Sequence, residues 1–367
     1  MIEKKRGFFG KLLVFILALL AFVGLVAMAL SVLNPYIDPQ RFIWISLFGL
    51  AFWVILFYNV LILILLLLLR SKKAWISVIA LLIAVPGFGK SYSRGHQATD
   101  ENSIRIMSYN VHNFGHVDGE TDKEDFASQM TNMVREQNPD ILCCQEFAAY
   151  KKKVTRQQCI QDFADDAGFQ YIYYNQKNNY AGNVIFSKYP IEKVSEVSDF
   201  AEEHTYGVMV LVDAGEKGKF HVANIHMLSY MITDSEIENL TTPQERQEYE
   251  ALGKTLVHKL NFAFQCRTEE LQKVLAGLSP IEGPVIVCGD FNETPLSYNY
   301  RQMQKAGFVD CFTQVGHGIK PTYAGKLPLL RIDYAWANDG VKPLNFKRNR
   351  WKASDHYPIM LDFTINE

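Results

Sequence analysis

Two stretches without a charged residue, Leu12–Leu33 (22 residues) and Phe42–Leu69 (28 residues), set the first constraint on this chain. Each exceeds the ~20 apolar residues that cross a bilayer as a helix. A third run, Ala74–Gly89, has 16 residues and carries Pro86. It would span only with tilt, bilayer thinning or snorkelling of Lys73 and Lys90. A cleaved signal peptide has a shorter apolar region, and here a second run follows almost at once. The sequence therefore predicts a membrane anchor over residues 1–90, with two or three transmembrane helices at about 12–33, 42–69 and 74–89.

Lys4, Lys5, Arg6 and Lys11 precede the first run, and Arg70, Lys72 and Lys73 follow the second. Their bias places the N-terminus and the Arg70–Lys73 connection in the cytoplasm. If Ala74–Gly89 crosses, everything beyond Gly89 lies outside the cytoplasm, and three spans give that run its natural home. With two spans it lies inside. Ser91–Asn102 is polar and turn-rich, as expected of a linker, and residues 103–367 form the remaining domain.

Beyond residue 97 the chain holds 27 Lys and Arg against 37 Asp and Glu, a net of −10. No basic cluster with interleaved aromatics occurs there, which disfavours nucleic acid as the partner. The six cysteines show no C-x-x-C spacing, so a zinc site is not expected. Cys143, Cys144 and Cys288 fall inside apolar runs, where cysteine serves as a small buried hydrophobe.

From Ser103 onward, strand-like and helix-like segments alternate. Phe126–Gln137 and Val154–Ala167 read as helices, and Glu236–Gly277 as a helix broken near Thr241–Pro243. Five short apolar runs end in a carboxylate, an amide or a histidine: IRIMSYN to Asn110, ILCCQE to Glu146, FHVANIH to His226, VIVCGDFN to Asp290 and Asn292, and LRID to Asp333. Asp355 and His356 then precede the last strand. Strand ends would deliver these side chains to one rim. Such a set suits hydrolysis of a phosphate ester, which needs a hard cation, a base for water and donors for the growing phosphoryl charge. Glu146 and Asp355, with Asn110 beside them, fit the few carboxylates that Mg²⁺ takes. Asp290 is the candidate base, with Asn292 holding the water or the phosphate. Asp333 would fix the tautomer of His356 and favour its protonated form. His226 is the candidate second donor.

The segments SYNVHNF, CCQEF, GNVIFSKYPI, NIHML, VCGDFNETP, RIDYAWA and SDHYPIMLDF resemble, in order, those of the endonuclease/exonuclease/phosphatase (DNase I-like) superfamily. The resemblance covers about residues 103–365. It implies an α/β fold, a four-layer α/β/β/α sandwich of two packed mixed sheets, here preceded by the transmembrane helical segment. It also implies that Glu146 and Asp355 are metal ligands with Asn110 next to the metal or phosphate. Asp290 would be the water-activating base with Asn292 as its orienting partner. His226 and His356 would contact phosphate, Asp333 supporting His356. The cofactor would be Mg²⁺, with Mn²⁺ as the alternative ion. Two departures stand out: His112 occupies a position where abasic-site nucleases of the superfamily usually have Asp, and His226 one where they tend to have Tyr.

Membrane attachment of an acidic domain favours a lipid head group or another small phosphodiester as substrate. The alternatives are an extracytoplasmic DNase I-like endonuclease and a noncatalytic membrane scaffold that keeps the fold. No protein partner is legible.

Overall fold

The computed structural model describes residues 7–115, 122–174, 181–198, 206–232, 236, 246–325, 329–351 and 353–366. The chain divides into two compact units: Met1–Ser91 with Thr294–Arg301, and Tyr92–Glu293 with Gln302–Glu367.

The first unit is helical. Runs of Leu, Ile, Phe and Ala without a helix breaker form α1 (Phe8–Leu33), α2 (Ile45–Leu50), α3 (Phe52–Leu68) and α4 (Trp75–Ser91). Small residues let the helices approach: Gly24 faces Asn59, whose Nδ2 donates to Gly24 O at 3.1 Å and to Ile55 O at 2.9 Å. Leu17, Ala21, Ile62, Leu66, Ala74 and Ile76 form one buried cluster. Phe15, Phe22, Val54, Phe57, Leu68, Leu82 and Val85 point outward, each more than half exposed. Two helical stretches, Phe8–Tyr36 and Lys72–Ser91, are long and apolar enough to cross a membrane.

Phe42–Leu69, expected as one span, is interrupted. Ala51 leaves helical geometry (φ −82°, ψ 8°), so α3 has only 17 residues. The interruption follows Gly49, against which the Asn34 amide packs so closely that a Cβ would sit 2.0 Å from Asn34 Nδ2. Ala74–Gly89 forms a helix that continues through Pro86.

The second unit holds two six-stranded sheets, ordered β10-β12-β9-β8-β7-β6 and β13-β14-β2-β3-β5-β4. In the first, β6 (Ile191–Ser198), β7 (Tyr206–Asp213), β8 (Lys219–His226), β9 (Val285–Asp290), β10 (Val309–Asp310) and β12 (Asp333–Ala337) pair; in the second, β2 (Ile104–Asn110), β3 (Ile141–Gln145), β4 (Tyr171–Tyr174), β5 (Val184–Ser187), β13 (Val341–Arg348) and β14 (Ile359–Ile365). Both sheets are mixed: β2 and β3 run parallel, as do β8 and β9, while their other neighbours are antiparallel.

Period-2 alternation sends side chains to opposite faces. Ile104, Ile106, Cys143 and Ile185 meet Val208, Val210, Val222, Ile286 and Cys288 between the sheets. Met107, Tyr109, Leu142, Cys144 and Phe186 face the other way, onto α5 (Lys123–Gln137) and α6 (Arg156–Ala167) through Phe126, Met130, Ile160 and Phe163. A long helix, α7 (Arg246–Leu278), is associated with the other sheet. The architecture is the expected four-layer α/β/β/α sandwich. All six cysteines are free, and Cys143, Cys144, Cys159, Cys288 and Cys311 are buried.

Two further expectations change. The expected linker is partly built into this unit: β1 (Tyr92–Arg94) pairs antiparallel with β11 (His317–Ile319), and Ala98 N donates to Leu344 O. Its polar composition hid strand pairing whose partner lies more than two hundred residues away. The helix expected over Glu236–Gly277 is α7, and the break expected near Thr241–Pro243 lies outside the described residues.

One buried polar bridge ties the sheets at the end that carries the site. Gln145 Nε2 on β3 donates to Asn224 Oδ1 on β8 at 2.7 Å. Asn224 Nδ2 lies 2.9 Å from Cys144 O and 3.1 Å from Val184 O. Asn183 Nδ2 donates to Asn224 O.

Candidate active site

Strand register brings the polar ends together. His226 on β8 pairs with Asp290 on β9, and Asp290 pairs with Asp333 on β12. In the facing sheet Asn110 on β2 pairs with Gln145 on β3, so Glu146 emerges one residue later. Asp355 and His356 arrive just before β14. Gly289 makes this register possible: its φ is +138°, and a Cβ there would lie 1.8 Å from Ile225 O. Only glycine accepts that approach.

Asn110 is the hinge of the cluster. Its Nδ2 lies 3.0 Å from both Glu146 Oε1 and Asp290 Oδ2, and its Oδ1 accepts the His112 amide. As placed, its side chain offers NH₂ to two carboxylates and uses its oxygen on the backbone, so it orients the carboxylates of both sheets. Asn113 Nδ2 donates to Glu146 Oε2 at 2.9 Å. Glu146 is thus fixed at both oxygens, on a left-handed backbone (φ +53°).

Asp290 is buried. Its Oδ1 accepts Asn292 N at 2.9 Å, and its Oδ2 lies 3.4 Å from His356 Nε2 and 3.9 Å from His226 Nε2. Burial pushes its pKa up to about 6, with Asp333 adding to the rise and His356 and His226 opposing it. A carboxylate poised there is suited to accept a proton near neutral pH. Asn292 Nδ2 donates to Met227 O, which ties the β9 exit to the β8 exit.

His356 Nδ1 lies 2.9 Å from Asp333 Oδ2. Burial alone would lower the imidazole pKa, but Asp333, Asp290 and Asp355 outweigh it and hold it well above the usual histidine value. Its protonated form is the stable one, so Nε2 is a donor. Candidate ligand atoms of Asp290, Asp333 and His356 lie within 4.8 Å of one another. A protonated imidazole cannot ligate, and we read this trio as a hydrogen-bonded relay. Ser354 Oγ supports the arrangement from 2.8 Å off Asn110 O and 3.1 Å off Asp355 Oδ1, while accepting His356 N.

Glu146 and Asp355 remain for a cation. Each side chain is 23% exposed, enough for water to complete a coordination shell. Among the described residues the ion-pair partners of Glu146, Asp290 and Asp355 are histidines, with neither Lys nor Arg. Carboxylate oxygens with neither Lys nor Arg beside them are the donor type that a hard divalent ion takes.

A family model described as the Endonuclease/Exonuclease/phosphatase family matches residues 107–356, well over half of the chain. The chain belongs to the Endonuclease/Exonuclease/phosphatase family. Its members are hydrolases acting on phosphate esters. A second model, a domain of unknown function, matches residues 10–91. A DNA-(apurinic or apyrimidinic site) endonuclease from Dictyostelium discoideum is 22% identical over 301 residues, covering 73% of this chain and 72% of that protein. Uncharacterized protein YbhP from Escherichia coli (strain K12) is 22% identical over 290 residues, covering 73% and 98%. Among solved structures, the human Nocturnin catalytic domain with bound sulfate is 18% identical, covering 73% of this chain and 96% of that one at a TM-score of 0.49. A family protein from Beutenbergia cavernae is 17% identical, covering 72% of each at 0.49.

All eight residues singled out from sequence lie in this neighbourhood. Three of their neighbours were given no role from sequence. His112 Nδ1 lies 3.3 Å from Asp355 Oδ1 and 4.0 Å from Glu146 Oε2. Asn113 follows it, and His112, Asn113 and Phe114 all have positive φ. Arg267 on α7 is fully buried, with Nε donating to Glu293 Oε1 at 2.8 Å and Nη1 to Leu228 O at 2.9 Å. It therefore braces the segments that follow Asn292 and His226. The polar pair His112-Asn113, beginning two residues past the strand-end Asn110, was the available signal for these two; Arg267 had none.

Proposed function

We propose that the chain is a membrane-anchored phosphoesterase that uses a divalent cation, Mg²⁺ or Mn²⁺, held by Glu146 and Asp355, to hydrolyse a phosphodiester. The observation that carries this reading is the joint placement, at one rim, of buried Asp290, of His356 bonded to Asp333, and of Glu146 and Asp355, whose ion-pair partners among the described residues include neither Lys nor Arg. When bound, the ion would polarise the phosphoryl oxygens and neutralise charge on the leaving group. Asp290 accepts a proton from water at Oδ2. His356 Nε2, kept protonated by Asp333, donates to a phosphoryl oxygen, and His226 Nε2 stands ready as the second donor. Asn110 keeps Glu146 and Asp290 at a fixed separation, and Asn292 positions the β9 exit.

Apolar side chains on the outward faces of the helices favour lipid surroundings over water. Three spans would set the catalytic domain outside the cytoplasm. An acidic domain beside a membrane favours a lipid head group or small phosphodiester. The Dictyostelium relative's name supports DNA as the second reading. Full-length protein in lipid nanodiscs, given Mg²⁺ or Mn²⁺, is to be assayed for head-group release from phospholipid vesicles and for plasmid nicking. Head-group release lost in both Asp290→Ala and His356→Ala supports the first reading; nicking alone supports the second. Wild-type rates in both variants would remove the assigned roles.

A further inference from the structure

Lys320, Lys347, Arg348 and Arg350 line one cleft of about 280 Å³ in the second unit, and none of its other lining residues is Asp or Glu. We propose that this cleft binds a phosphoryl dianion, the group shared by inorganic phosphate and the head group of phosphatidic acid. The inference is independent of hydrolysis at the rim.

The fold does the gathering. Lys347 and Arg348 end β13, Arg350 follows them, and Lys320 comes just after β11. Arg348 Nη1 donates to Pro321 O at 2.7 Å, Tyr357 N to Thr322 O at 2.7 Å and Asn349 N to Pro358 O at 2.8 Å, so the two walls are tied together. The Arg348 guanidinium lies over the Tyr357 ring, 4.6 Å from its centre. A guanidinium held in this way keeps its fork in place for oxygens in pairs. Phe346–Trp351 (FKRNRW) is itself a basic run between aromatics, against the expectation of no such cluster. Lys320 joins it only in the fold.

Charge selects an anion. Among the described residues none of the four cations forms an ion pair with Asp or Glu, although the chain beyond residue 97 has a net of −10. Arg348 Nε is buried with no hydrogen-bond partner among the described residues. Burial pushes the Lys320 ammonium pKa down, and Arg348 and Arg350 push the same way. Cations crowded without a counter-charge are relieved when an anion arrives, and each N–H that reaches it makes a charge-assisted hydrogen bond. Size then selects among anions. Pockets for drug-sized ligands run to ~300–1,000 Å³, so this cleft takes a phosphoryl group with little attached to it.

Protection of a sheet edge is the competing explanation. β13 is an edge strand, and cations there discourage pairing with another chain. That role needs neither the cleft nor Lys320, and it gives no preference for a dianion over other anions.

The test is calorimetric titration of inorganic phosphate into the full chain in phosphatidylcholine nanodiscs, in slightly alkaline buffer with chelator. Acetate at equal ionic strength is the monoanion control. Lys320 is half-buried and Arg350 exposed, so Lys320→Gln and Arg350→Gln remove charge without opening the core. Lys342→Gln removes the same charge from an exposed position of β13 outside the cleft. Phosphate should bind in preference to acetate, and about 10-fold more weakly in Lys320→Gln and in Arg350→Gln. Affinity should stay within about twofold in Lys342→Gln, and binding should persist in His356→Ala, which strips the rim of a phosphate donor. In nanodiscs that contain phosphatidic acid, weaker phosphate binding identifies the lipid head group as the occupant, and unchanged binding identifies the free anion; either supports the inference. Absence of phosphate binding, equal binding of acetate, a loss in Lys342→Gln as large as in Lys320→Gln, or a loss confined to His356→Ala would each overturn it, and none of these bears on turnover at the rim.

Discussion

Asp290→Asn should separate catalysis from stability, and with a sign that is easy to get wrong. In the folded protein the Asp290 carboxyl is pushed up to about 6 by burial, against ~3.9 for an aspartate in an unfolded chain. The native state therefore prefers the neutral form. Stability associated with this group is fully present below the unfolded value and is lost as pH rises through the folded one. The difference of about two pK units amounts to about 3 kcal/mol at pH 8, and roughly half of that at pH 5. An isosteric amide carries no charge to desolvate, but it accepts at one end only, whereas Asp290 accepts Asn292 N at Oδ1 and Asn110 Nδ2 at Oδ2; the unmet donor costs about 1–3 kcal/mol at every pH. In metal-free buffer with chelator, the stability of Asp290→Asn relative to wild type should therefore rise by about 1.5 kcal/mol between pH 5 and pH 8. Hydrogen exchange of the slowest amides of β9 in the full chain measures this directly, because those amides exchange through global opening. The same variant should lose turnover, and the wild-type kcat/KM should fall as pH drops below about 6, where Asp290 takes up its proton. A stability difference that stays constant between pH 5 and pH 8, or that moves in the variant's favour on acidification, would refute the account of Asp290 as a charge held in a costly environment.

Other perturbations test neighbouring parts. Asp333→Asn removes a charge-assisted hydrogen bond of the kind worth ~1.5–3 kcal/mol, so kcat should drop roughly 10- to 150-fold with KM nearly unchanged, read in steady-state kinetics. Gly289→Ala drives a Cβ into Ile225 O; a loss of ~3 kcal/mol or more is expected, seen as a lowered Tm or as failure to accumulate folded protein. Arg267→Met removes the buried guanidinium that Glu293 Oε1 and Leu228 O accept from and should cost about 3–5 kcal/mol. Adding Glu293→Leu should recover most of that in a urea titration, which a purely volumetric defect would not.

How much of this could be read in the residues depends on the reach of each signal. Short apolar runs such as Ile104–Met107 and Val285–Cys288 announce both the strands and the polar residues at their ends, because a run and its boundary are local properties. Most of the eight candidate residues were legible for that reason, and Asp355 and His356 through the family resemblance. His112 stood out only as a departure from the family pattern; its approach to Asp355 was not legible, since it depends on a turn of three positive-φ residues after β2. Arg267 lies in QCRTEE, which reads as a solvated helix face. Its burial comes from Glu293 and Leu228, partners supplied by the β9 and β8 exits. The roles of Asn110 and Asn292 were legible in place but not in orientation, because an amide's two ends are chemically opposite and only neighbours decide which faces inward. Composition likewise showed that Phe42–Leu69 is apolar but not that Gly49 and Ala51 interrupt it.

The amide pair of Gln145 and Asn224 gives the sandwich a single way of closing. Hydrocarbon between the sheets would tolerate a slide of one layer over the other, but a shift of one residue would press both amides against Ile and Val with nothing to accept their hydrogens. Glu146 sits one residue beyond that pair, and His226 two residues beyond it, so whatever locks the layers also sets the distance across the rim. A half-assembled domain has no partial version of the cluster: the rim forms only when the two layers close in full register.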